Sequence, residues 1–315
     1  MTIFVVIPIY NESRHISDVL KQIPEEVQQI VVVDDCSDDN SPEVVLAEKD
    51  ERIKLIRHEK NIGVGGAMVT GYKYSLKAGA DIVVKIDGDG QMDPTEIPRV
   101  VSPIRNGEAD YAKGFRFYNL ENIRQMPIIR LIGNIILSFL AKITSGYWNI
   151  FDPTNGYTAI HRVALSRINL NGLNQGYFFE TDMLAHLYRI HAVVRDVQVS
   201  NRYGSEESKL NPLHISLKFP YLLTKAFVKR ILWRYFITDF TAVSMFISLG
   251  VPIFLFGFWF GLYNWVIHAK AGITTPLGTI MLAVIPLFFG FQFLLQAFVL
   301  DIDNVPKIAV QERFI

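Results

Sequence analysis

Cysteine is almost missing. Cys36 is the single one in 315 residues, so no disulfide can form within the chain. It sits among acids in "VVVDDCSDD", where the thiolate a nucleophile needs is disfavoured, and it reads as a small loop residue. Net charge is missing as well. Lys+Arg and Asp+Glu both total 31, which excludes a nucleic-acid binder working through bulk basic charge. The opening "MTIFVVIPIYNE" has no basic segment and only a short apolar run, so no secretory signal is expected and the first half is expected in the cytosol. The turn after that run holds no glycine, whereas a dinucleotide-binding turn reads G-x-G-x-x-G. In "NIGVGGAMVTG" the glycines at 63, 65 and 66 lose that spacing at Met68. A nicotinamide or flavin enzyme is disfavoured, and these glycines either admit a nucleotide, open a helix at Gly66 or form a plain turn.

Two long stretches lack charge altogether. Residues 240–267 and 271–300 contain no Asp, Glu, Lys or Arg. A membrane span needs about 20 apolar residues, so one span is expected near 239–264 and another near 278–300. Before them, 212–236 interleaves Lys218, Lys225, Lys229, Arg230 and Arg234 with Leu, Phe, Tyr and Trp, the pattern of a basic amphipathic helix lying in a membrane interface. The positive-inside rule then places residues 1–235 and the C-terminal tail in the cytosol and the joint "HAKAGITTPLG" outside. The expected organisation is a cytosolic domain over 1–211, juxtamembrane helices over 212–236, a two-helix membrane domain over 237–303 and a tail over 304–315.

The first part has the opposite texture. "IFVVIP" (3–8), "QIVVVDD" (29–35), "IKLIRH" (53–58) and "DIVVKID" (81–87) are short β-branched runs, separated by helical patterns at 13–22, 42–49 and 66–77. This alternation predicts an α/β fold with a mostly parallel, Rossmann-like sheet covered on both faces. Further on, 157–162 and 192–199 read as strands, and 127–146 and 178–190 as helices. In such a sheet ligands bind beyond the carboxyl ends of the strands, at a topological switch point. Pro8–Glu12, Asp34–Ser37 and Asp87–Gln91 all stand at strand ends and should open on one crevice.

"IDGDGQ" carries the clearest chemistry. Asp87 and Asp89 are two apart, so on an extended strand they point the same way. Oxygen ligands with open positions suit Mg2+ or Mn2+, which keep waters and bind substrate phosphates. Such an ion would offset the acids and neutralise a diphosphate leaving group. A plain Asp-Gly turn is the bland alternative. At "VVVDDCSDD" a strand-end carboxylate can accept from base or ribose donors, or Ser37, Asp38 or Asp39 can cap a helix.

Taken together and in order, P-x-Y-N-E at 8–12, V-D-D-x-S at 33–37, N-x-G-x-G-G at 61–66 and D-x-D-x-Q at 87–91 resemble the GT-A fold inverting glycosyltransferases. The chain is similar to their polyprenyl-phosphate branch, which includes dolichol-phosphate mannose synthases and bacterial undecaprenyl-phosphate glucosyltransferases. Further matches are "KGFRF" (113–117), "RLIGN" (130–134), "DPTNGYTA" (152–159) and "RYGSEESKL" (202–210), followed by the two spans. The resemblance implies a nucleotide site at Pro8, Tyr10, Glu12, Asp35, Gly65 and Asp87, and a divalent ion on Asp87, Asp89 and Gln91. It implies an acceptor-phosphate site at Arg116, Arg130, Asn134, Arg202, Ser208 and Lys209. Arginine suits that role because it gives bidentate, charge-assisted bonds to phosphate.

The expected reaction is direct inverting displacement. The lipid phosphate attacks the anomeric carbon while the nucleoside diphosphate leaves, so positioning and charge neutralisation outweigh proton transfer. Asp89, Arg116, Arg130, Asp152, Glu180 and Arg202 are the expected catalytic set, with Glu180 either a base or an orienter of sugar hydroxyls. The expected partners are a UDP- or GDP-sugar, a polyprenyl phosphate and the bilayer, with homo-oligomer packing through the paired helices. Glucose from UDP-glucose is the first expectation for the sugar, with a GDP-mannose-dependent dolichyl-phosphate enzyme as the alternative. An enzyme with a polysaccharide acceptor, a nucleotidyltransferase and a non-enzymatic membrane scaffold are the competing readings.

Overall fold

Ile3–Ile9 (β1) is buried at every position, as a strand covered on both faces must be. In the computed structural model, which describes residues 1–115, 128–200 and 212–314, β1 sits inside a seven-stranded sheet. The strands after it are β2 (Val27–Asp34), β3 (Ile53–Arg57), β4 (Ile82–Lys85), β5 (Tyr111–Phe115), β6 (Thr158–His161) and β7 (Val194–Gln198). Their order across the sheet is β3-β2-β1-β4-β6-β5-β7. β1 pairs in parallel with β2 and β4, and β6 is the antiparallel strand between β4 and β5.

The order reverses at β1. The chain runs outward to β2 and β3, then returns to place β4 on the other side, which makes the β1/β4 boundary the switch point. Helices α1 (Ile16–Lys21), α2 (Ser41–Ala47), α3 (Val64–Lys77) and α4 (Ile97–Arg105) fill the connections. The core beneath them is aliphatic, with Val5, Ile7, Ile30, Val32, Val84, Ile97 and Val101 fully buried. Four further helices follow: α5 (Ile128–Ser145), α6 (Arg162–Arg167), α7 (Phe179–Arg189) and α8 (Pro212–Leu232).

Expected strands and helices at 3–8, 29–35, 53–58, 127–146 and 178–190 coincide with β1, β2, β3, α5 and α7. β5 was not expected. "YAKGF" is five residues long and carries a lysine and a glycine, so it lacks a strand's apolar signature. Arg230 differs from the expectation of a basic face lying in a membrane interface. It is fully buried and donates from Nε to the Thr144 carbonyl and from Nη2 to the Ile143 carbonyl, at 3.0 and 2.9 Å. Its guanidinium lies 4.9 Å from the Tyr188 ring centroid. It thus satisfies carbonyls at the C-terminal end of α5, where a cation is favoured.

The chain divides into two compact units. One comprises Met1–Arg230 together with Pro306–Ile315, and the other Ile231–Val305. In the first unit the C-terminal segment closes on the start of β5. The fully buried carboxylate of Asp110 accepts the N–H groups of Val193 and Val310 at 2.8 Å and of Gln311 at 2.9 Å. The Gln311 amide donates in turn to the carbonyls of Ile104 and Ala109. The second unit is a helical hairpin of α9 (Ala242–Ala271) and α10 (Leu277–Asp303). Both helices are long and apolar enough to cross a membrane. Gly250, Gly257 and Gly290 sit where a side chain would strike the facing helix, so small residues set the close approach. At one end of the hairpin the Tyr235 hydroxyl donates to Asp301 at 2.6 Å.

Candidate active site

Three loops meet at the switch point. After β1, Asn11 donates its N–H to the Ser37 hydroxyl at 3.0 Å and accepts the Asp38 N–H at 2.9 Å. Glu12 donates its N–H to the Ser41 hydroxyl at 2.8 Å. Asp39 accepts the N–H groups of Ser13 and Ser41. Burial works against its charge, but the hydrogen bonds from Ser41 and Ser13 outweigh that and hold its carboxyl down to about 2. These contacts stitch Pro8–Glu12 to Asp34–Ser41. The "DGDG" loop then closes on both: a side chain at Gly88 would lie 2.7 Å from Ile9 Cγ2, and Gly90, at φ +75°, faces His15. Crowding at the first position and backbone handedness at the second both demand glycine.

Asp87, Asp89 and Gln91 line a cavity of about 690 Å3 in the first unit, joined there by Asn155, Gly156, Tyr177 and Glu180. Thr154 and Thr181 add hydroxyls, and α5 and α8 supply apolar wall through Ile136, Leu137, Leu140, Phe219, Pro220 and Leu223. The same cavity is thus lined both by carboxylate and amide oxygens and by hydrocarbon.

The acids of this cavity have a partner that lies outside the D-x-D-x-Q motif. Lys85, 1% exposed at the end of β4, places its Nζ 2.7 Å from Asp87 Oδ1 and 3.3 Å from Glu180 Oε1. A lone buried ammonium is unfavourable. Burial alone lowers the Lys85 pKa, but the Asp87 and Glu180 carboxylates reverse that and raise it above the ordinary lysine value. The signal was present in the sequence, because residues two apart on a strand share a face and Lys85 stands two before Asp87. A second lysine, Lys113 on β5, is also fully buried and donates to the Asn155 carbonyl. Burial pulls its ammonium down to about 8 against the opposing pull of Glu180 and Asp152. Asp152 is buried near it and accepts the Thr154 hydroxyl at 3.1 Å.

The remaining expected residues fall as follows. Pro8 lies within β1, and Tyr10 is 40% exposed at its end. The Asp38 carboxylate beside the Tyr10 phenol raises its pKa. Asp35 was expected to bond base or ribose. In the structure it is buried and its oxygens accept the N–H groups of Ile62 and Gly63 at 3.0 and 2.7 Å, with His58 Nδ1 at 2.8 Å. It holds the loop after β3. Gly65 admits the backbone of Asn174 and Gln175, which a side chain there would overlap, and Gly66 donates to the Gln175 carbonyl at 3.2 Å. The N-x-G-x-G-G segment therefore supports the loop that leads into Tyr177 and Glu180. Arg116, Arg202, Ser208 and Lys209 lie outside the described residues, as do the side chains of Arg130 and Asn134, whose backbone belongs to α5.

A parallel sheet with acidic loops at its switch point is a setting for binding a nucleotide-bearing substrate, and the family comparison gives the class. Residues 4–168 match the model for glycosyl transferase family 2, and the chain belongs to that family. Within it the chain stands in the polyprenyl-phosphate branch. It is 34% identical over 178 residues to the UDP-N-acetylglucosamine–dolichyl-phosphate N-acetylglucosaminyltransferase of Methanococcus voltae, spanning 52% of this chain and 70% of the relative. It is 31% identical over 186 residues to the polyprenol monophosphomannose synthase of Mycolicibacterium smegmatis, spanning 57% and 69%. Among solved structures, glucosyl-3-phosphoglycerate synthase from Mycobacterium tuberculosis shares the GT-A fold at a TM-score of 0.52 and 22% identity, over 73% of this chain and 79% of that one.

Proposed function

We propose that this polyprenyl-phosphate glycosyltransferase transfers glucose from UDP-glucose to undecaprenyl phosphate. The observation that carries the acceptor class is the mixed lining of this cavity. Oxygen ligands at Asp87, Asp89, Gln91 and Glu180 are continuous with the hydrocarbon of Ile136, Leu137, Leu140, Phe219 and Leu223, which matches a substrate that is phosphate at one end and isoprenoid at the other. The relatives' names cover N-acetylglucosamine, mannose and glucose, and glucose is retained as the first donor to test. The catalytic unit is assigned to the cytosolic side, with α9 and α10 crossing the bilayer.

Asp87, Asp89 and Gln91 fit an open divalent site. Among the described residues no three His, Cys, Asp or Glu side chains converge into a closed cage. That suits a hard ion such as Mg2+ or Mn2+ held by one or two carboxylates plus substrate phosphates. Bound there, the ion would neutralise charge building on the diphosphate. Asp89 and Gln91 hold this position, Asp87 orients the nucleotide end of the donor, and Glu180 meets the sugar hydroxyls. The acceptor phosphate is anionic at neutral pH and needs no strong base, and Arg116, Arg130 and Arg202 are assigned to it by charge. Displacement then rests on alignment in a water-poor cavity.

The test is purified full-length protein with undecaprenyl phosphate, Mg2+ or Mn2+ and a panel of labelled nucleotide sugars. Lipid-linked glucose is expected. For Asp89→Ala, a loss of about 100-fold or more in turnover is expected, the scale of removing one preorganised electrostatic group. No lipid product from any donor would overturn the class of substrate, and a product from another donor alone would overturn glucose.

A further inference from the structure

Lys85 is placed where neither strand pairing nor core packing calls for a charge. On β4 it pairs in register with Val6 of β1 on one side and Thr158 of β6 on the other, so its backbone lies in the middle of the sheet. Its ammonium joins two carboxylates from distant parts of the chain, Asp87 at the end of β4 and Glu180 in the first turn of α7. The space around it is closed. A side chain at Gly156 would stand 2.5 Å from Lys85 Nζ and 2.8 Å from Asp87 Oδ2. Gly156, in the loop before β6, therefore admits the Lys85–Asp87 pair.

This geometry fixes what Asp87 can offer. Oδ1 faces the Lys85 ammonium and Oδ2 faces Gly156, so one Asp87 oxygen is already shared with a fixed positive charge. A cation arriving at Asp89 and Gln91 meets a site that already holds one positive charge beside its second carboxylate. We propose that Lys85 is a positioning residue and internal counter-cation: it locks Asp87 to Glu180 and weakens the binding of a divalent ion until a nucleoside diphosphate brings further oxygen ligands. This rests on the reading of Asp87, Asp89 and Gln91 as the cation and donor site. Its consequence is ordered loading, with ion and nucleotide held together and neither retained well alone.

The test is a Mn2+ titration of the full-length protein in detergent, read by loss of the free-ion electron paramagnetic resonance signal, without nucleotide and with UDP or GDP. Lys85→Met should bind Mn2+ alone about tenfold or more tighter than wild type, because a unit positive charge no longer faces a divalent one. It should also gain less from added nucleotide, and turn over more slowly despite holding the ion better. Lys85→Arg keeps the charge and should return the wild-type Mn2+ affinity. A merely structural lysine predicts that Lys85→Met binds Mn2+ no better than wild type, and that result, or no Mn2+ binding by any variant, overturns the proposal. If Lys85→Met does not fold, Lys85→Gln replaces it with the same expected sign. The titration needs no turnover, so a wild type that makes no lipid-linked sugar would fault the transferase reading and leave the Lys85 result standing.

Discussion

The Asp110 carboxylate accepts the backbone N–H of Gln311 at 2.9 Å across 201 residues of sequence. The same carboxylate takes the N–H groups of Val193 and Val310, so three backbone donors converge on one buried acid. Replacing it with Asn would remove the charge and turn a donor toward N–H groups that need an acceptor. Asp110→Asn should therefore destabilise the protein by about 2–4 kcal/mol, the range for breaking a buried charge-assisted network. Thermal unfolding in detergent would show it, and an unchanged melting temperature would refute it.

Asp196 gives a pH-dependent signature. Burial drives its carboxyl up to about 6, against the Phe151 N–H that donates to it at 2.5 Å and the pull of Lys113. The folded pKa lies above the unfolded one near 4, so the folded state holds this proton more tightly. Its contribution is then most favourable below about pH 4 and is lost as pH rises through about 6. Asp196→Asn should flatten that part of the stability profile and leave the protein on the order of 1–3 kcal/mol more stable at pH 7. Denaturant midpoints at pH 4, 6 and 7.5 for both proteins would decide it.

Gly65 should not tolerate alanine. The added carbon would overlap the Asn174 carbonyl and push away the loop that carries Tyr177 into the cavity. Gly65→Ala is expected to cost about 1–3 kcal/mol of stability and to lower turnover. Gly79, which has open space around it at φ +88°, is the control: Gly79→Ala should carry only the backbone strain, about 1–2 kcal/mol, with turnover unchanged.

The apolar wall predicts a split in kinetic constants. Leu137 and Leu223 line the cavity from two helices. Leu137→Gln and Leu223→Gln should raise KM for undecaprenyl phosphate by about tenfold each, from lost burial of hydrocarbon, with little change in KM for the sugar nucleotide. A short-chain acceptor such as citronellyl phosphate should be less affected. Equal effects on both acceptors would place the lipid tail elsewhere.

The elements legible in the sequence were those whose pattern is local. β1, β2 and β4 are runs of Val and Ile ending in acid or turn residues, and both span candidates declare themselves by lacking charge. The strand-end motifs could be gathered into one crevice because parallel topology leaves few choices for where ligands bind. What escaped depended on distant partners. Lys85 and Lys113 look like surface residues until Glu180 and Asn155 are brought beside them. Asp110 looks like a turn acid until the chain's last residues arrive. Arg230 looks like one more cation on a basic helix until α5 ends beneath it. Asp35 and Gly65 stand in motifs visible in the sequence, but the loops they hold, 58–63 and 174–176, have no signature of their own.

The return of the chain to Asp110 bears on how the catalytic unit can be isolated. Residues 306–315 belong to the same compact unit as residues 1–230, so the apolar hairpin is an insertion in that unit's sequence. A soluble version ending at Arg230 would leave the Asp110 carboxylate facing the gap where Val310 and Gln311 had been, with two of its N–H partners gone. The faithful excision joins residue 230 to residue 306 through a short flexible linker, or supplies the last ten residues as a separate peptide. In that second form the enzyme would be a split protein whose two pieces meet at Asp110 and at the carbonyls of Ile104 and Ala109.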